Sequence, residues 1–470
     1  MNRWQAIVWG LVLASGLALS GVSLAQAAEP EVADLGERLE LFVDQQRIES
    51  LQRARLVLHE PKCVETVLRF DKPWEGEYAA YVTVFADQDK FRMYYRGWSA
   101  SSGGEQVTCY AESKDGIIWE KPKLGLFEFQ GSTENNLILK GNRKIGTHNF
   151  APFKDTRPGV PVEQQYKAVA GGPLLAYASP DGIHWKLMAD KPVITKGAFD
   201  SQNIAFWDTN KQKYVSYYRI FTNRVRTVAR VESEDFLTWS EPLPVDFGDT
   251  PLEHFYTNGT VQYFRAPHYY FMFPKRFVPT RQRLPQHGTS GISDGVFLTS
   301  RDGLRFDRAF MEALIRPGLD QKNWGDRSNM IAWGILQTGP EEMSIYFSRN
   351  YRQPSHHMQR GVFRLDGFAS ARAGYDGGEL LTKPLRFSGE QLILNYSTSA
   401  VGSVQVEIQD MDGKPIPSYT LADAPELFGD AIEEAYRWKD AADVSKLVGK
   451  PVRLRFVLKD ADVYSYRFGK

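Results

Sequence analysis

The sequence predicts an all-β protein, a five-bladed β-propeller followed by a C-terminal β-sandwich. Two observations support this fold class. The pattern S-x-D-x-x-x-W/F occurs four times, at 113–119, 179–185, 233–239 and 300–306. Between the copies, alternating or aromatic-rich runs are separated by short polar turns, as expected for antiparallel strands. A strand-rich unit repeated tens of residues apart is typical of a propeller, in which each unit forms one blade.

The first residues are expected to be an export signal rather than part of the fold. An apolar run follows a single Arg and ends in the sequence AQA at 25–27. This pattern is typical of a secretory signal peptide that is removed after Ala27 or Ala28. An uncleaved membrane anchor is the alternative, but the cleavage pattern favours removal. We therefore expect a signal peptide at 1–27, a periplasmic or secreted protein, and no membrane contact after cleavage.

Each repeated unit predicts a four-stranded sheet. The third copy contains the runs FDSQNIAFWD, YVSYYRIF, RTVARVES and EDFLTW, and the first copy follows the same plan. A fifth blade without the turn pattern is predicted from SNMIAWGILQ, EMSIYFSRN and RGVFRLDGF. Five blades close a ring without free sheet edges. The propeller is placed at 35–379, with 39–68 supplying strands that lead into the ring. The blade cores are expected to begin near Glu75, His148, Asp200, Glu253 and Asp326.

The repeated aspartates are predicted to form turns rather than to act in catalysis. Ser, Asp and Gly make tight turns through side-chain-to-backbone hydrogen bonds and the permissive backbone of glycine. The final Trp or Phe is expected to fill the space between neighbouring blades. Since these aspartates recur with every blade, they are not expected to mark a single active site. They are Asp115, Asp181, Asp235 and Asp302.

After about Leu380 the character of the sequence changes. Alternating runs without the repeated turn, such as GSVQVEIQDMDGKPI and GKPVRLRFVLKDADVYSYRF, predict a β-sandwich at 380–470. The segment DAPELFGDAIEEAYRWKD is expected to hold a short helical turn or a long loop.

Charge composition and the lack of known motifs argue against nucleic-acid, cofactor and metal binding. Lys plus Arg and Asp plus Glu are balanced at 57 each, so no basic stripe suggests a nucleic-acid partner. Because no phosphate-binding glycine loop or dinucleotide motif is present, no cofactor is expected. His148 and His254 lack the partner spacing of metal ligands, so no metal is expected. A disulfide between Cys63 and Cys109 is left open, as is the oligomeric state.

A propeller with these turns and a C-terminal sandwich resembles the invertase- and fructanase-like glycoside hydrolases, families 32, 43 and 68, and family 32 most of all. The resemblance implies three catalytic acids at the starts of innermost strands. By position, these are Glu75 or Glu77 in the first blade, Asp200 in a central blade, and Glu253 in the next. The chain lacks the family's W-x-N-D-P-like segment and its R-D-P, and Glu253 stands where the family has an acid before a Cys-Pro pair.

Blade geometry also predicts a site without the resemblance. In an antiparallel blade, the start of the innermost strand and the end of the second strand lie on one face, so both converge on the central mouth. Acids and cations at these positions form a candidate substrate site. The expected catalytic residues are Glu77, Asp200 and Glu253. The expected substrate-binding residues are Glu75, Arg96, His148, Asn149, Asn203, Arg219, His254, Arg276, Asp326 and Arg327.

Cleavage of a glycosidic bond needs two groups that flank it, one giving a proton and one attacking or activating water. Glu253, beside Leu252, Phe255 and Tyr256, is expected to be the general acid, because an apolar wall favours the protonated form. Asp200 or Glu77 would then be the nucleophile or base. The arginines of the mouth would suit a carboxylate or sulfate on the sugar.

The sequence therefore predicts an exported glycoside hydrolase acting on a poly- or oligosaccharide. Two alternatives stay open. A non-catalytic carbohydrate-binding propeller is favoured by the missing family motifs, and a glycoside phosphorylase or lyase could use the same scaffold.

Overall fold

The computed structural model describes residues 31–142, 147–285, 291–439 and 443–470. The predicted signal peptide lies outside these described residues. Within them the regular elements are nearly all strands, and no helix is long and apolar enough to cross a membrane. The short 3-10 helices that the structure describes are Ala100–Ser102, Val162–Gln164, Gln321–Asn323 and Ser445–Leu447.

The predicted propeller is confirmed, with five blades around one axis. Blade 1 contains Ala80–Asp87, Lys90–Trp98, Gln106–Ser113 and Leu137–Gly141. Blade 2 contains Ala151–Lys154, Tyr166–Gly171, Leu174–Ser179 and Lys186–Leu187. Blade 3 contains Ile204–Asp208, Lys213–Thr222, Val225–Ser233 and Leu243–Pro244. All three are antiparallel meanders, as their alternating sequences predict.

Blade 4 is split into two smaller sheets. The sheet near the mouth contains His254–Phe255, Lys275–Val278 and Ile292–Gly295, and the other contains Val261–Tyr263, Ala266–Met272 and Leu298–Ser300. The second strand of the blade is interrupted at Pro274, which has no backbone N–H to give to a ladder.

The ring is closed by a strand from the other end of the chain. Blade 5 contains Leu336–Gln337, Glu342–Arg349 and His357–Arg364, and its outermost strand is Lys62–Arg69. This strand pairs antiparallel with the third, placing Leu68 opposite Met358. On the inner side, Thr83 of blade 1 bridges to Trp333 of blade 5. The first and last blades are therefore joined at both the axis and the rim.

The repeated aspartates form turns, as predicted. In the second copy, Asp181 Oδ1 accepts hydrogen bonds from the backbone N–H of Ile183 and His184, both at 2.8 Å, and the Ser179 hydroxyl accepts from Gly182 N–H at 2.8 Å. The other copies make the same bonds. In three copies the final aromatic residue packs against a tyrosine of the preceding blade: Trp119 against Tyr346, Trp185 against Tyr94, and Phe306 against Tyr217.

Tyrosine hydroxyls join three of the four turns, those at Gly116, Gly182 and Gly303, to the preceding blade. Tyr346 of blade 5 donates to the Gly116 carbonyl at 2.6 Å, and Tyr217 of blade 3 donates to Gly303 at 2.6 Å. At Gly116, where φ is +73°, an added Cβ would lie 2.8 Å from the Tyr346 oxygen. The turn glycine is therefore required both by its left-handed backbone and by the close approach of the phenol.

A second set of phenol hydrogen bonds lies at the far ends of the innermost strands. Here a carboxylate of one blade accepts from a tyrosine of the next blade, each time at 2.6 Å. The pairs are Asp87 with Tyr166, Asp155 with Tyr214, and Asp208 with Tyr270.

The β-sandwich takes strands from both ends of the chain. Its centre is a long antiparallel pair, Gln391–Gln409 with Arg453–Gly469. The segment expected as a helical turn or loop instead contains the strand Asp430–Tyr436, which pairs with the first of these. The remaining strands are Ala33–Gly36, Glu40–Leu41, Ile48–Gln52, Ala54–Leu58, Ala369–Ala373, Gly378–Thr382 and Leu385–Phe387.

The sandwich strands at 33–58 and 369–382 fall within the range 35–379 or at its limits, which the sequence assigned to the propeller. Of the segment 39–68, only Lys62–Arg69 enters the ring. The sandwich packs on blade 4, where Arg301 pairs with Glu40 at 2.9 Å and with Asp44 at 3.0 Å. Cys63 and Cys109 are both free thiols.

Shortening a side chain in the closing strand should destabilise the whole ring. Leu68 is 4% exposed and packs in the cluster of blades 1 and 5, so Leu68→Ala leaves a cavity and should cost about 2 to 5 kcal/mol of unfolding free energy. Thr66→Ala, on the exposed side of the same strand, should change it by no more than about 0.5 kcal/mol. Urea denaturation measures both, and equal losses would show that the strand does not close the ring.

Candidate active site at the propeller mouth

The innermost strands of the blades begin around a common mouth. Three of them are entered through a non-glycine residue with a left-handed backbone: Tyr81 at φ +56°, Asn149 at +55° and Asn329 at +66°. This conformation is uncommon for residues with a side chain and is found where tertiary structure imposes it, often at functional sites. These entries turn polar and phenolic side chains towards the axis.

One half of the mouth is a hydrogen-bonded chain across blades 1, 2 and 3. Arg96 Nη1 donates to Asn149 Oδ1 at 2.9 Å, and Asn149 Nδ2 lies 3.1 Å from His148 Nε2. His148 Nε2 in turn lies 3.2 Å from Asp200 Oδ1. Only 4% of the His148 side chain is exposed, whereas 49% of the Asp200 side chain is exposed. The buried His148 therefore holds the Asp200 carboxylate on one side, and the exposed side of the carboxylate is accessible to a ligand.

The other half of the mouth surrounds the phenol of Tyr256 with cations. Lys275 Nζ lies 3.8 Å from its ring centre, Arg219 Cζ lies 4.8 Å from it, and Arg327 Nη2 donates to its hydroxyl at 3.3 Å. Burial raises the pKa of Tyr256, but Arg327, Lys275 and Arg219 together hold that pKa below the ordinary value of 10.0. Asp200 is near enough for its charge to act in the opposite direction.

Tyr81, a second phenol in the mouth, has a raised pKa, in contrast to Tyr256. It is fully buried in the same mouth, and burial raises its pKa above the ordinary value of 10.0, with the charge of Tyr256 acting in the same direction. Arg96 and Arg327 lower its pKa, but not enough to reverse the effect of burial. The cations of the mouth therefore stabilise the phenolate form of Tyr256 more than that of Tyr81.

Asp326 neutralises part of this positive charge. Its Oδ1 accepts from Lys275 Nζ at 2.7 Å, and its Oδ2 lies 3.4 Å from Arg327 Nε. Burial raises the pKa of Asp326, but Lys275 and Arg327 hold it below the ordinary range. Asp326 is therefore a fixed counter-ion rather than a proton donor.

The environment of Glu253 does not fit the general acid expected from the sequence. Its two carboxylate oxygens accept from Arg276 at 3.3 Å and from Arg308 at 2.6 Å. Both carboxylate oxygens are therefore occupied by guanidinium groups, and neither is directed at a substrate. The apolar neighbours in the sequence do not enclose it, because both arginines reach it from other segments.

The first-blade acids also differ from the expectation. Glu75 is fully buried, and its Oε1 lies 2.6 Å from Lys121 Nζ and 2.7 Å from the Tyr95 hydroxyl. It is a structural ion pair inside the blade. Glu77 is partly exposed and accepts from Ala100 N–H at 2.8 Å; burial raises its pKa, but this bond is the largest of several effects that lower it overall.

Three other expected binding residues have structural partners. Arg276 makes a two-pronged pair with Asp294, at 2.9 and 2.7 Å. His254 Nδ1 accepts from Arg226 N–H at 3.2 Å, and Asn203 Nδ2 donates to the Phe199 carbonyl at 3.0 Å. Burial lowers the pKa of His254, which favours its neutral form.

The structure thus brings together seven of the expected residues at the mouth, and sequence reasoning missed two phenols. The expected residues found there are Arg96, His148, Asn149, Asp200, Arg219, Asp326 and Arg327. Tyr81 and Tyr256 were missed, although both stand before or at the start of an innermost strand, which is the position that selected His148 and Asp200. In the described ranges no group of three or more His, Cys, Asp or Glu is arranged to hold a metal ion.

Comparisons with known proteins leave the activity open. No protein-family model and no curated protein matches this sequence. An N-acetylgalactosamine deacetylase from F. plautii is 12% identical over 67% of this chain and 97% of that chain, with a TM-score of 0.45. A β-1,2-mannobiose phosphorylase from Listeria innocua is 10% identical over 61% and 90%, with a TM-score of 0.42.

A fructofuranosidase from Schwanniomyces occidentalis is 10% identical over 88% of this chain and 100% of that chain, with a TM-score of 0.40. At this level of similarity none of these proteins assigns an activity to this chain.

The pair of Lys275 and Asp326 gives a stability test of the mouth. Lys275 is fully buried, so Asp326→Asn leaves a buried ammonium without its main anion and should cost about 3 to 5 kcal/mol. The double variant Asp326→Asn/Lys275→Met removes both charges and should recover most of this loss. Chemical denaturation of the wild type, both single variants and the double variant measures the coupling. Losses that simply add would contradict the pairing.

Proposed function

We propose that this protein is an exported enzyme that cleaves glycosidic bonds at the propeller mouth, with Asp200 and Tyr256 as its reacting groups. The observation that carries the proposal is that an open carboxylate and a phenol of lowered pKa face the same mouth. Hydrolysis of a glycoside needs a group that gives a proton on one side of the bond and a group that attacks or activates water on the other.

Tyr256 is suited to give the proton. The positive charges around it stabilise the phenolate that remains after proton transfer, so the phenol is a stronger acid than tyrosine in water. The proton passes from the phenol to the leaving oxygen as the bond from that oxygen to the anomeric carbon breaks.

Asp200 is suited to the opposite face of the sugar. In a direct displacement the carboxylate takes a proton from water, and the water oxygen bonds to the anomeric carbon. In the two-step alternative the carboxylate bonds to that carbon first, and water then releases the sugar. His148 orients Asp200 in either case.

A cleft beside the mouth offers room for a sugar chain. Its volume is about 280 Å³, and Trp74, Trp98 and Phe129 lie in its wall. Trp98 lies against Arg96, whose Cζ is 5.3 Å from its ring, so the cleft adjoins the site. Aromatic walls with a few polar groups are typical of small-molecule sites.

Replacing either reacting group should abolish turnover without unfolding the protein. Asp200→Asn and Tyr256→Phe should each lower kcat by about 100-fold or more, on a glycoside found by screening aryl glycosides and polysaccharides. The matched control is Tyr218→Phe, because the Tyr218 hydroxyl is buried and has no hydrogen-bond partner in the described residues. The control should keep wild-type kcat.

The pH profile separates the acid role from a structural one. An acid must hold its proton, so wild-type activity should fall as pH rises through the pKa of Tyr256. The residual activity of Tyr256→Phe should lack that alkaline fall. Full activity in Asp200→Asn would reject the mechanism, sugar binding without any product would favour the carbohydrate-binding alternative, and turnover that requires phosphate would indicate a phosphorylase.

A further inference from the structure

Two arginines on one face of blade 3 share the same aromatic neighbours. Arg219 lies in the second strand and Arg226 in the third, and the register places Arg226 opposite Phe221. Arg219 Cζ lies 4.8 Å from the Tyr256 ring and 5.7 Å from the Phe221 ring. Arg226 Cζ lies 5.3 Å and 5.6 Å from the same two rings. Two positive charges are therefore held side by side at the edge of the mouth.

Neither arginine has an anion among the residues that the structure describes. In the part of the chain that the structure describes, no carboxylate lies within ion-pair distance of either one, and the Nε of each is a buried donor without an acceptor. Arg219 is only 7% exposed, and its guanidinium makes no hydrogen bond to the described residues. Arg226 is only partly buried and bonds to His254 Nδ1 at 3.3 Å.

Three other cations near the mouth each have a carboxylate partner. Lys275 has Asp326 at 2.7 Å, Arg276 has Asp294 at 2.7 Å, and Arg308 has Glu253 at 2.6 Å. A buried charge without a partner is costly, and like charges facing each other on a sheet add to that cost. An anion bound between the two guanidinium groups would lower both of these free-energy costs.

We infer that Arg219 and Arg226 form a subsite for an oxyanion carried by the sugar substrate, either a carboxylate or a sulfate ester. A guanidinium presents paired donors that match the two oxygens of such a group. The subsite adjoins Tyr256, so the charged sugar lies next to the bond that is cleaved. This inference rests on the proposed function, since it names the substrate class of the same mouth.

The subsite should make the protein select acidic sugars. Isothermal titration calorimetry on Asp200→Asn, in which turnover does not disturb binding, would compare a tetragalacturonate, a sulfated carrageenan tetrasaccharide and a neutral galactotetraose. At least one acidic ligand should bind about tenfold to a hundredfold more tightly than the neutral one. The stronger of the two acidic ligands identifies the oxyanion.

The paired variants Arg219→Met and Arg224→Met, each added to Asp200→Asn, locate that selectivity. Arg224 lies in the exposed turn of the same blade, so its loss removes the same charge away from the mouth. Arg219→Met should reduce acidic-sugar affinity about tenfold to a hundredfold and leave neutral-sugar affinity unchanged. Arg224→Met should change neither by more than about twofold.

The outcomes separate this inference from the proposed function. Equal affinity for acidic and neutral sugars, or equal effects of the two arginine variants, would overturn the subsite and leave glycoside cleavage standing. If the folded protein binds none of the three sugars, the subsite fails, and the screen of aryl glycosides and polysaccharides decides the proposed function separately.

Discussion

Hydrogen bonds from buried tyrosines between neighbouring blades are the interaction on which the rest of the structure depends. At the turns, a phenol of one blade reaches the backbone of the next, as Tyr346 does at Gly116 and Tyr217 does at Gly303. At the far ends of the inner strands, Asp87 and Asp208 accept from tyrosines of the following blades. A buried phenol without a partner is costly, so each bond restricts how one blade can sit on another.

These contacts fix the mouth because they fix the angle between blades. Asp200 and Tyr256 come from blades 3 and 4, and Arg96 and His148 come from blades 1 and 2. Each of these four residues comes from a different blade and is far from the others in sequence. Only closure of the ring brings them to the same mouth. The closing strand Lys62–Arg69 completes that ring by pairing a segment near the start of the chain with blade 5.

The positive charge at the mouth is local, and the balanced composition of the whole chain does not reveal it. The whole chain carries 57 acidic and 57 basic side chains, yet Tyr256 is surrounded by Arg219, Lys275 and Arg327. Glu253, which was predicted to be catalytic, instead forms ion pairs with two arginines. The paired Glu253 stabilises the fold, whereas 49% of the Asp200 side chain is exposed at the mouth.

The sequence predicts best what is decided locally. The turn aspartates were identified correctly because their hydrogen bonds reach only two or three residues along the chain. Roles that depend on distant partners were not predictable: Arg308 reaches Glu253 across 55 positions, and Lys121 reaches Glu75 from beyond the turn of blade 1. Tyr256 was missed for the same reason, because its lowered pKa comes from cations on other strands.

Direct titration of the Tyr256 phenol tests whether Asp200 and Tyr256 share one mouth. The difference in phenolate absorbance between the wild type and Tyr256→Phe gives its pKa, and the same difference measured on the Asp200→Asn background shows the effect of the carboxylate. We predict a pKa below 10.0, and a further decrease when the negative charge of Asp200 is removed. A phenol that titrates at or above 10.0, or that is unaffected by Asp200→Asn, would contradict the shared site.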